Sequence, residues 1–323
     1  MSVLIYTPYS GEKFSKPVLE LASYAFSLAV QLEETVIALV TGNPDDSDLN
    51  RLGELGVSKI LLAPSTGGSV FDARTNTALL ALAAGLCNAS TIIFADNSWS
   101  RALAPRLAVR LRAGYITNVS GLPLATEPFT VNRSVFNGKA SGIVQVNTAI
   151  RVLVLARNSW QLALNPMPFT VEPLALTGAL PEPDFVVEKY VEQAGSIRLQ
   201  DAEVVVSGGR GMKNGENWKV LEDLAVALGA ALACSRPVAD EGWRPHQEHV
   251  GQTGKVISPN LYIACGISGA IQHIGGISSS RVIVAINKDA DAPIFQFANY
   301  GIVGDLFQIL PELTTAVRKL KSE

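Results

Sequence analysis

Two rhythms of apolar and polar positions alternate along the first third of the chain. Short apolar runs of strand length recur in "SVLIYT" from Ser2, "TVIALVTG" from Thr35, "SKILLAP" from Ser58 and "STIIFADN" from Ser90. Between them lie stretches of helical period. In "KPVLELASYAFSLAVQL", Val18, Leu21, Ala22, Ala25 and Leu28 share one face. The segment "DDSDLNRLGELG" predicts a short helix ending at a glycine stop. "NTALLALAAGLCNA" predicts a third helix, and "RALAPRLAVRLRAG" a fourth with Pro105 in its first turn. Strand and helix in strict alternation imply a parallel sheet with helical crossovers.

After about Tyr115 the rhythm changes. "FTVNRSVFNGKASGIVQVN" and "AIRVLVLA" predict strands joined by Asn-Gly or Gly turns, which add antiparallel pairing to the first domain. Prolines at 166, 168, 173, 181 and 183 make the next segment unfit for helix or central strand. We read it as an extended boundary. Residues 1–190 then form one domain and residues 191–323 a second, whose elements begin near Arg198.

The second domain resumes the first rhythm. "AEVVVSGGRGMKNGENW" runs from a strand into a glycine-rich turn, and a helix follows with Trp218, Leu221, Ala225 and Leu228 on one stripe. "ALACS", "LYIAC" and "RVIVAIN" are further strands. "LPELTTAVRKLKSE" closes the chain as a helix with Pro311 near its start and Arg318, Lys319 and Lys321 in its last turns, where cations suit the helix dipole. The expected fold class is α/β, with two domains that are each a mainly parallel, Rossmann-like sheet flanked by helices.

Composition narrows the function. Of 323 residues, 48% are hydrophobic, enough for two cores, and the net charge of -3 shows no basic footprint for nucleic acid or a membrane surface. The most basic stretch, Arg101 to Arg112, reads as a solvated helix face. No apolar run reaches the ~18 residues of a membrane span, and the N-terminus lacks the parts of a signal peptide. A cytoplasmic protein is expected, or a mitochondrial matrix protein stripped of a transit peptide. Cys87, Cys234 and Cys265 are too few and too scattered for a disulfide framework. His246 and His249 form an H-x-x-H without a third ligand, which reads as an exposed loop rather than a metal site.

Chemistry concentrates in the loops that follow the second domain's strands. "SGGRG" (207–211), "CSRP" (234–237), "GISGAIQH" (266–273) and "NKDADAP" (287–293), together with "VGQTGK" (250–255), which follows a polar loop instead of a strand, supply glycines, hydroxyls, amides and two arginines, with almost no carboxylate before Asp289. Ligands of open parallel sheets bind at the carboxyl ends of the strands. Backbone N–H groups and guanidinium forks there suit a large anionic ligand. "SGGRGMKNG" matches a dinucleotide fingerprint only loosely, and "GQTGK" lacks the P-loop frame. No nucleophile elbow and no supported Ser-His-Asp set occurs. The residues point to a dinucleotide cofactor and leave FAD and NAD both open.

The stretch "LYIACGISGAIQHIGGISSSRVIVAIN" (261–287) resembles the signature of electron-transferring flavoprotein alpha subunits. The likeness continues through "SGGRG", "SRP", "VGQTGK", "NKDADAPIF" and "YGIVGDLF", covering about residues 200–311, whereas the first half matches in layout. The resemblance implies an FAD-binding C-terminal domain and an N-terminal domain packed on a beta subunit carrying AMP or a second FAD. It implies electrons taken from dehydrogenases, typically the acyl-CoA dehydrogenases of fatty acid beta-oxidation, and passed to a quinone reductase or a ferredoxin-type acceptor. The chain would be a carrier rather than an enzyme.

The same resemblance implies roles for single residues. Arg210 and Ser235 would meet the FAD phosphates, and Arg236 the isoalloxazine. Val250, Gly251, Gln252 and Thr253 would pass close to the flavin, with the Thr253 hydroxyl near N5. Gly266, Ser268, Gly269, Ala270, Ile271, Gln272 and His273 would line the cofactor, Gln272 and His273 at the ring and ribityl side. Asn287, Asp305 and Leu306 would meet the adenosine end. His273 is then expected to donate to the flavin O2 and favour the anionic one-electron-reduced form. Asn299 departs from the family's usual Asp, which puts a charged role there in doubt. An NAD-dependent oxidoreductase, an electron-bifurcating carrier and a subunit with an inert structural flavin are the alternatives.

Overall fold

A computed structural model describes residues 1–9, 13–63, 71–136, 140–176 and 202–322, with positions 178, 180, 181, 185, 188 and 199 between the last two spans. The chain divides into two compact units, Met1–Tyr190 and Val191–Glu323. The expected first element near Arg198 and the Asn137-Gly138 turn lie outside the described residues.

In the first unit, interior strands are apolar on both faces because helices cover both. Strand β1 (Ser2–Pro8) is flanked by β2 (Thr35–Thr41) and β4 (Ala89–Ala95), all parallel. Alternation sorts their side chains. Val3 and Ile5 join the core under α1 (Lys16–Leu32) and α2 (Asp46–Glu54), while Leu4 and Tyr6 join the core under α3 (Ala73–Leu86) and α4 (Ser98–Leu111). Side chains cap the starts of α2, α3 and α4. Asp45 accepts from the Asp48 N–H at 2.8 Å, and Asn97 and Ser100 close a reciprocal capping box.

Four elements differ from expectation. Helix α4 begins at Ser98, so Pro105 sits inside it and removes the donor that the Arg101 carbonyl would use. Strand β5 (Gly114–Val119) was not expected, its apolar pattern being masked by exposed Tyr115. The antiparallel expectation holds for β6 (Ala125–Thr126), β7 (Phe129–Val135) and β8 (Ala140–Val146), but β9 (Arg151–Leu155) lies between β4 and β5, parallel to both. The proline-rich segment contains strand β10 (Thr170–Pro173), paired with β3 (Lys59–Leu62) at the sheet edge, where a terminal proline is tolerated. The sheet order is β10-β3-β2-β1-β4-β9-β5-β7-β6, with β8 on β7.

The second unit is a five-stranded parallel sheet. Its order is β12 (Ala231–Cys234), β11 (Val204–Gly208), β13 (Leu261–Cys265), β14 (Val282–Asn287) and β15 (Tyr300–Val303). One face packs against α5 (Lys219–Leu228) and α8 (Leu306–Ser322) through Leu221, Leu224, Leu306 and Leu310. The other packs against α7 (Ile271–Ile277) through Ile274 and Ile277. Helix α8 begins five residues before Pro311, which therefore lies inside it. The chain leaves β11 toward β12 and returns to β13, so the topological switch point falls between β11 and β13. That crevice is where ligands of open parallel sheets bind.

Candidate functional site

Two turns meet at the switch point, backbone on backbone. The Gly209 N–H donates to the Cys265 carbonyl at 2.9 Å, and the Gly211 N–H to the Gly266 carbonyl at 3.0 Å. A Cβ on Gly209 would stand 2.2 Å from the Gly266 oxygen, and one on Gly266 would stand 2.7 Å from the Gly211 Cα. Gly266 also has φ +64°, a left-handed conformation that glycine adopts freely. These glycines let the loops after β11 and β13 touch each other. The earlier expectation gave them to a ligand, and their first partner is one another.

Beside this contact opens a cavity of about 480 Å³, lined from the loops after four strands and from the 249–253 turn. Arg210 comes from the loop after β11, and Ser235 and Arg236 from the loop after β12, where Arg236 opens α6 (Arg236–Asp240). Val250, Gly251 and Thr253 come from the turn, Gly266, Ser268 and Ala270 from the loop after β13, Gln272 and His273 from the first turn of α7, and Asn287 from the end of β14. Among the described residues Arg210 has no carboxylate partner, whereas Arg236 pairs with Asp240 at 3.3 Å. Asp289 is the carboxylate in the lining.

Five expected residues stand off the cavity wall. The Gln252 side chain covers Gly275, and the Gln252 backbone N–H donates to the Gln272 carbonyl at 2.8 Å. Gly269 abuts the Ile294 backbone, and Ile271 is exposed at the start of α7. The Asp305 carboxylate accepts from the Phe307 N–H at 2.8 Å as the cap of α8, and Leu306 packs behind Gly266. Asn299 clamps the start of β14, where its Oδ1 accepts from the Ile283 N–H and its own N–H donates to the Ile283 carbonyl, each at 2.8 Å. A neutral side chain serves this purpose fully.

His249 corrects the exposed-loop reading of "HQEH". His246 is exposed, but His249 is buried and lines the cavity. A bridge between Cys234 and His249 extends the sheet beside β12, with the Val250 N–H on the Cys234 carbonyl at 3.0 Å. Burial, and then the Arg236 charge, hold the His249 imidazole below its ordinary pKa. The usable signal was its position just before the Val250 turn, which the H-x-x-H spacing obscured. Gly211, Pro237 and Ile267 are further lining residues that sequence reasoning passed over.

His273 is the deepest polar group of the site. It is 7% exposed, and burial lowers its pKa to about 4, so the ring is neutral. Its Nε2 lies 2.8 Å from the Tyr262 hydroxyl. Its Nδ1 is buried, and among the described residues nothing hydrogen-bonds it. A buried polar atom without a partner is costly, and His273 itself is one of the residues that line the cavity. The buried thiols of Cys234 and Cys265 behave differently: desolvation pushes both up to about 12, so they are inert core groups. Guanidinium groups, hydroxyls and amides facing the apolar surfaces of Val250, Ile267 and Pro237 fit a cofactor with anionic phosphates and a flat ring.

Residues 3–176 match the electron transfer flavoprotein domain, and residues 198–278 match the electron transfer flavoprotein FAD-binding domain. The electron transfer flavoprotein subunit alpha of Bacillus subtilis is 34% identical over 286 residues, covering 88% of each chain. That of Pseudomonas aeruginosa is 40% identical over 263 residues, covering 81% of this chain and 83% of its own. A mitochondrial form from Dictyostelium discoideum is 38% identical over 244 residues, covering 70% and 65% respectively. The family match therefore extends over the first half, which the motifs showed only as a layout. The chain belongs to the electron transfer flavoprotein alpha-subunit family, and its C-terminal unit contains the family's FAD-binding domain.

Proposed function

We propose that this chain is the alpha subunit of a heterodimeric electron carrier, holding FAD in the cavity at the carboxyl ends of β11 to β14. The carrying observation is that one cavity gathers Arg210, which has no carboxylate partner among the described residues, and the buried, neutral His273. Bound FAD would supply the electron chemistry, taking up and releasing one or two electrons. Arg210 and Ser235 would hold its phosphates. Arg236, His249, Val250, Gly251 and Thr253 would border the ring, with Gln272 and His273 as donors toward its polar edge. Asn287 and Asp289 would take the ribose end. Gln252, Gly269, Ile271, Asp305 and Leu306 would support this wall from behind. A positive or donating surround favours added negative charge on a flavin, which is what a carrier needs. His273 suits a hydrogen-bond donor better than an acid or base, because burial keeps it neutral. That weighs against an NAD-dependent oxidoreductase.

The first unit would dock the beta subunit. Its antiparallel extension exposes Phe136 by 80% and Ile143 by 69%, apolar surface that a partner would cover. Donors would be acyl-CoA dehydrogenases or other dehydrogenases, and the acceptor a quinone oxidoreductase. No helix among the described residues is long and apolar enough to cross a membrane, which agrees with a carrier that meets its partners by diffusion in the cytoplasm or the mitochondrial matrix.

The test is co-expression with the beta subunit. The complex should be yellow with flavin absorbance, be reduced by an acyl-CoA dehydrogenase with its substrate, and be reoxidised by a quinone oxidoreductase. A colourless complex that binds NADH, or a flavin that no dehydrogenase reduces, would contradict the reading. Counting FAD and AMP per complex separates a simple carrier from an electron-bifurcating one.

A further inference from the structure

Beneath the cavity, Tyr262 occupies the second position of β13 and is fully buried. Register places it opposite Val205, and Ser207, Ala233 and Ala264 are the small neighbours that leave room for its ring. Its hydroxyl meets His273 Nε2 at 2.8 Å, with ring centroids 6.0 Å apart. We propose that Tyr262 is a positioning residue: its hydroxyl donates to His273 Nε2, holds the imidazole proton on Nδ1, and so fixes the tautomer and orientation of the neutral ring that His273 presents in the wall of the cavity. The inference rests on the FAD reading above and adds to it a group that does not line the cavity.

The direction of the bond follows from what surrounds each end. Burial raises the Tyr262 phenol above its ordinary pKa, so its proton is always present. The Ser207 hydroxyl lies beside the phenol and, among the described residues, completes no other hydrogen bond. A serine proton turned onto the phenol oxygen leaves the phenol's own proton for Nε2. At the far side of the ring, the Val250 carbonyl faces His273 closely enough to favour a proton there, although no hydrogen bond closes onto Nδ1. The opposite tautomer would turn a bare Nδ1 lone pair toward that carbonyl oxygen, acceptor against acceptor. The partner of one ring nitrogen thus sets the state of the other.

The experiment uses the FAD-loaded complex with the beta subunit, with 15N-histidine in this chain only. His273→Ala identifies the His273 signals among the three histidines. The wild type should show a protonated Nδ1 and an unprotonated Nε2. Tyr262→Phe should mix the two tautomers and reduce about tenfold the preference of the site for one-electron-reduced over oxidised FAD, equal to about 59 mV in that couple. The potential shift should vanish when Tyr262→Phe is made in the His273→Ala background, because a residue acting through His273 has nothing left to act on. Should Tyr262→Phe fail to fold, Ser207→Ala should mix the tautomers in its place. A wild-type Nε2–H signal, an unchanged tautomer in the variants, or a potential shift that persists without His273 would each overturn the proposal. A wild-type complex without FAD would instead overturn the functional reading on which it rests.

Discussion

The two units share a parallel-sheet architecture and treat their buried polar atoms differently. In the first unit, Thr7 donates to the Leu39 carbonyl and Ser90 to the Glu34 carboxylate. The buried Nε atoms without partners belong to guanidinium groups held otherwise: Arg133 donates to Thr117, and Arg151 lies 4.2 Å over the Phe129 ring. In the second unit, the Ser207 hydroxyl and the His273 imidazole flank a single tyrosine, and Ser207 Oγ and the far ring nitrogen, His273 Nδ1, close no hydrogen bond among the described residues. One sheet is finished internally and exposes apolar side chains at its antiparallel end. The other keeps donors in reserve at its switch point. On the proposed function, that difference is the one between a docking unit and a cofactor unit.

The sharpest way to break this contrast is Gly266→Ala. The new Cβ meets the Gly211 backbone at 2.7 Å, and φ is +64°. We expect the second unit to lose about 4 kcal/mol or more, with FAD lost and the first unit's unfolding transition unmoved, as read by denaturation with separate probes. Leu21→Ala makes the reciprocal cut. Leu21 is fully buried under the first unit's sheet, so its truncation should cost about 3 kcal/mol and leave the FAD affinity of the folded protein unchanged.

A third measurement uses acid. Between its folded pKa of about 4 and an unfolded value of about 6.5, the His273 imidazole is neutral when folded and charged when unfolded. The unfolded chain then binds more protons, so stability falls as pH drops through that window, by about 3 kcal/mol in total. Urea denaturation of the second unit from pH 7 to 4 should show this loss, and His273→Gln should remove it. The smallest effect on folding is expected from Phe136→Asp. Stability should stay within about 0.5 kcal/mol, while affinity for the beta subunit, measured by calorimetry, falls about tenfold, or ~1.4 kcal/mol.

Period alone made most of the fold legible. The Val3 and Leu4 alternation and the α1 stripe translate directly into faces of a sheet and a helix. Helix starts were less legible, because Pro105 and Pro311 mimic N-terminal signals while the true caps, Asn97 and Asp305, lie farther upstream. Strand β10 was hidden by the prolines around it and by its own Pro173, which an edge position tolerates. At the site, motifs located the cavity loops but not which side chains turn inward. Ile271 and Gln252 turn away, and His249 turns in, because helix phase and turn geometry decide direction. Tyr262 read as an ordinary strand residue, since nothing in "LYIAC" announces that its hydroxyl reaches a histidine eleven positions on.

The central claim, that the second unit's cavity holds the FAD, is tested most directly by filling it. Ser268 is exposed at the cavity wall, and its backbone carbonyl already accepts from the Ile294 N–H at 3.0 Å. Ser268→Trp should therefore leave the fold intact and occupy the space of the ring. In the complex with the beta subunit, flavin counted by absorbance after denaturation should fall by one FAD per complex relative to wild type, whatever the beta subunit carries. An unchanged flavin count in a folded Ser268→Trp complex would contradict the account.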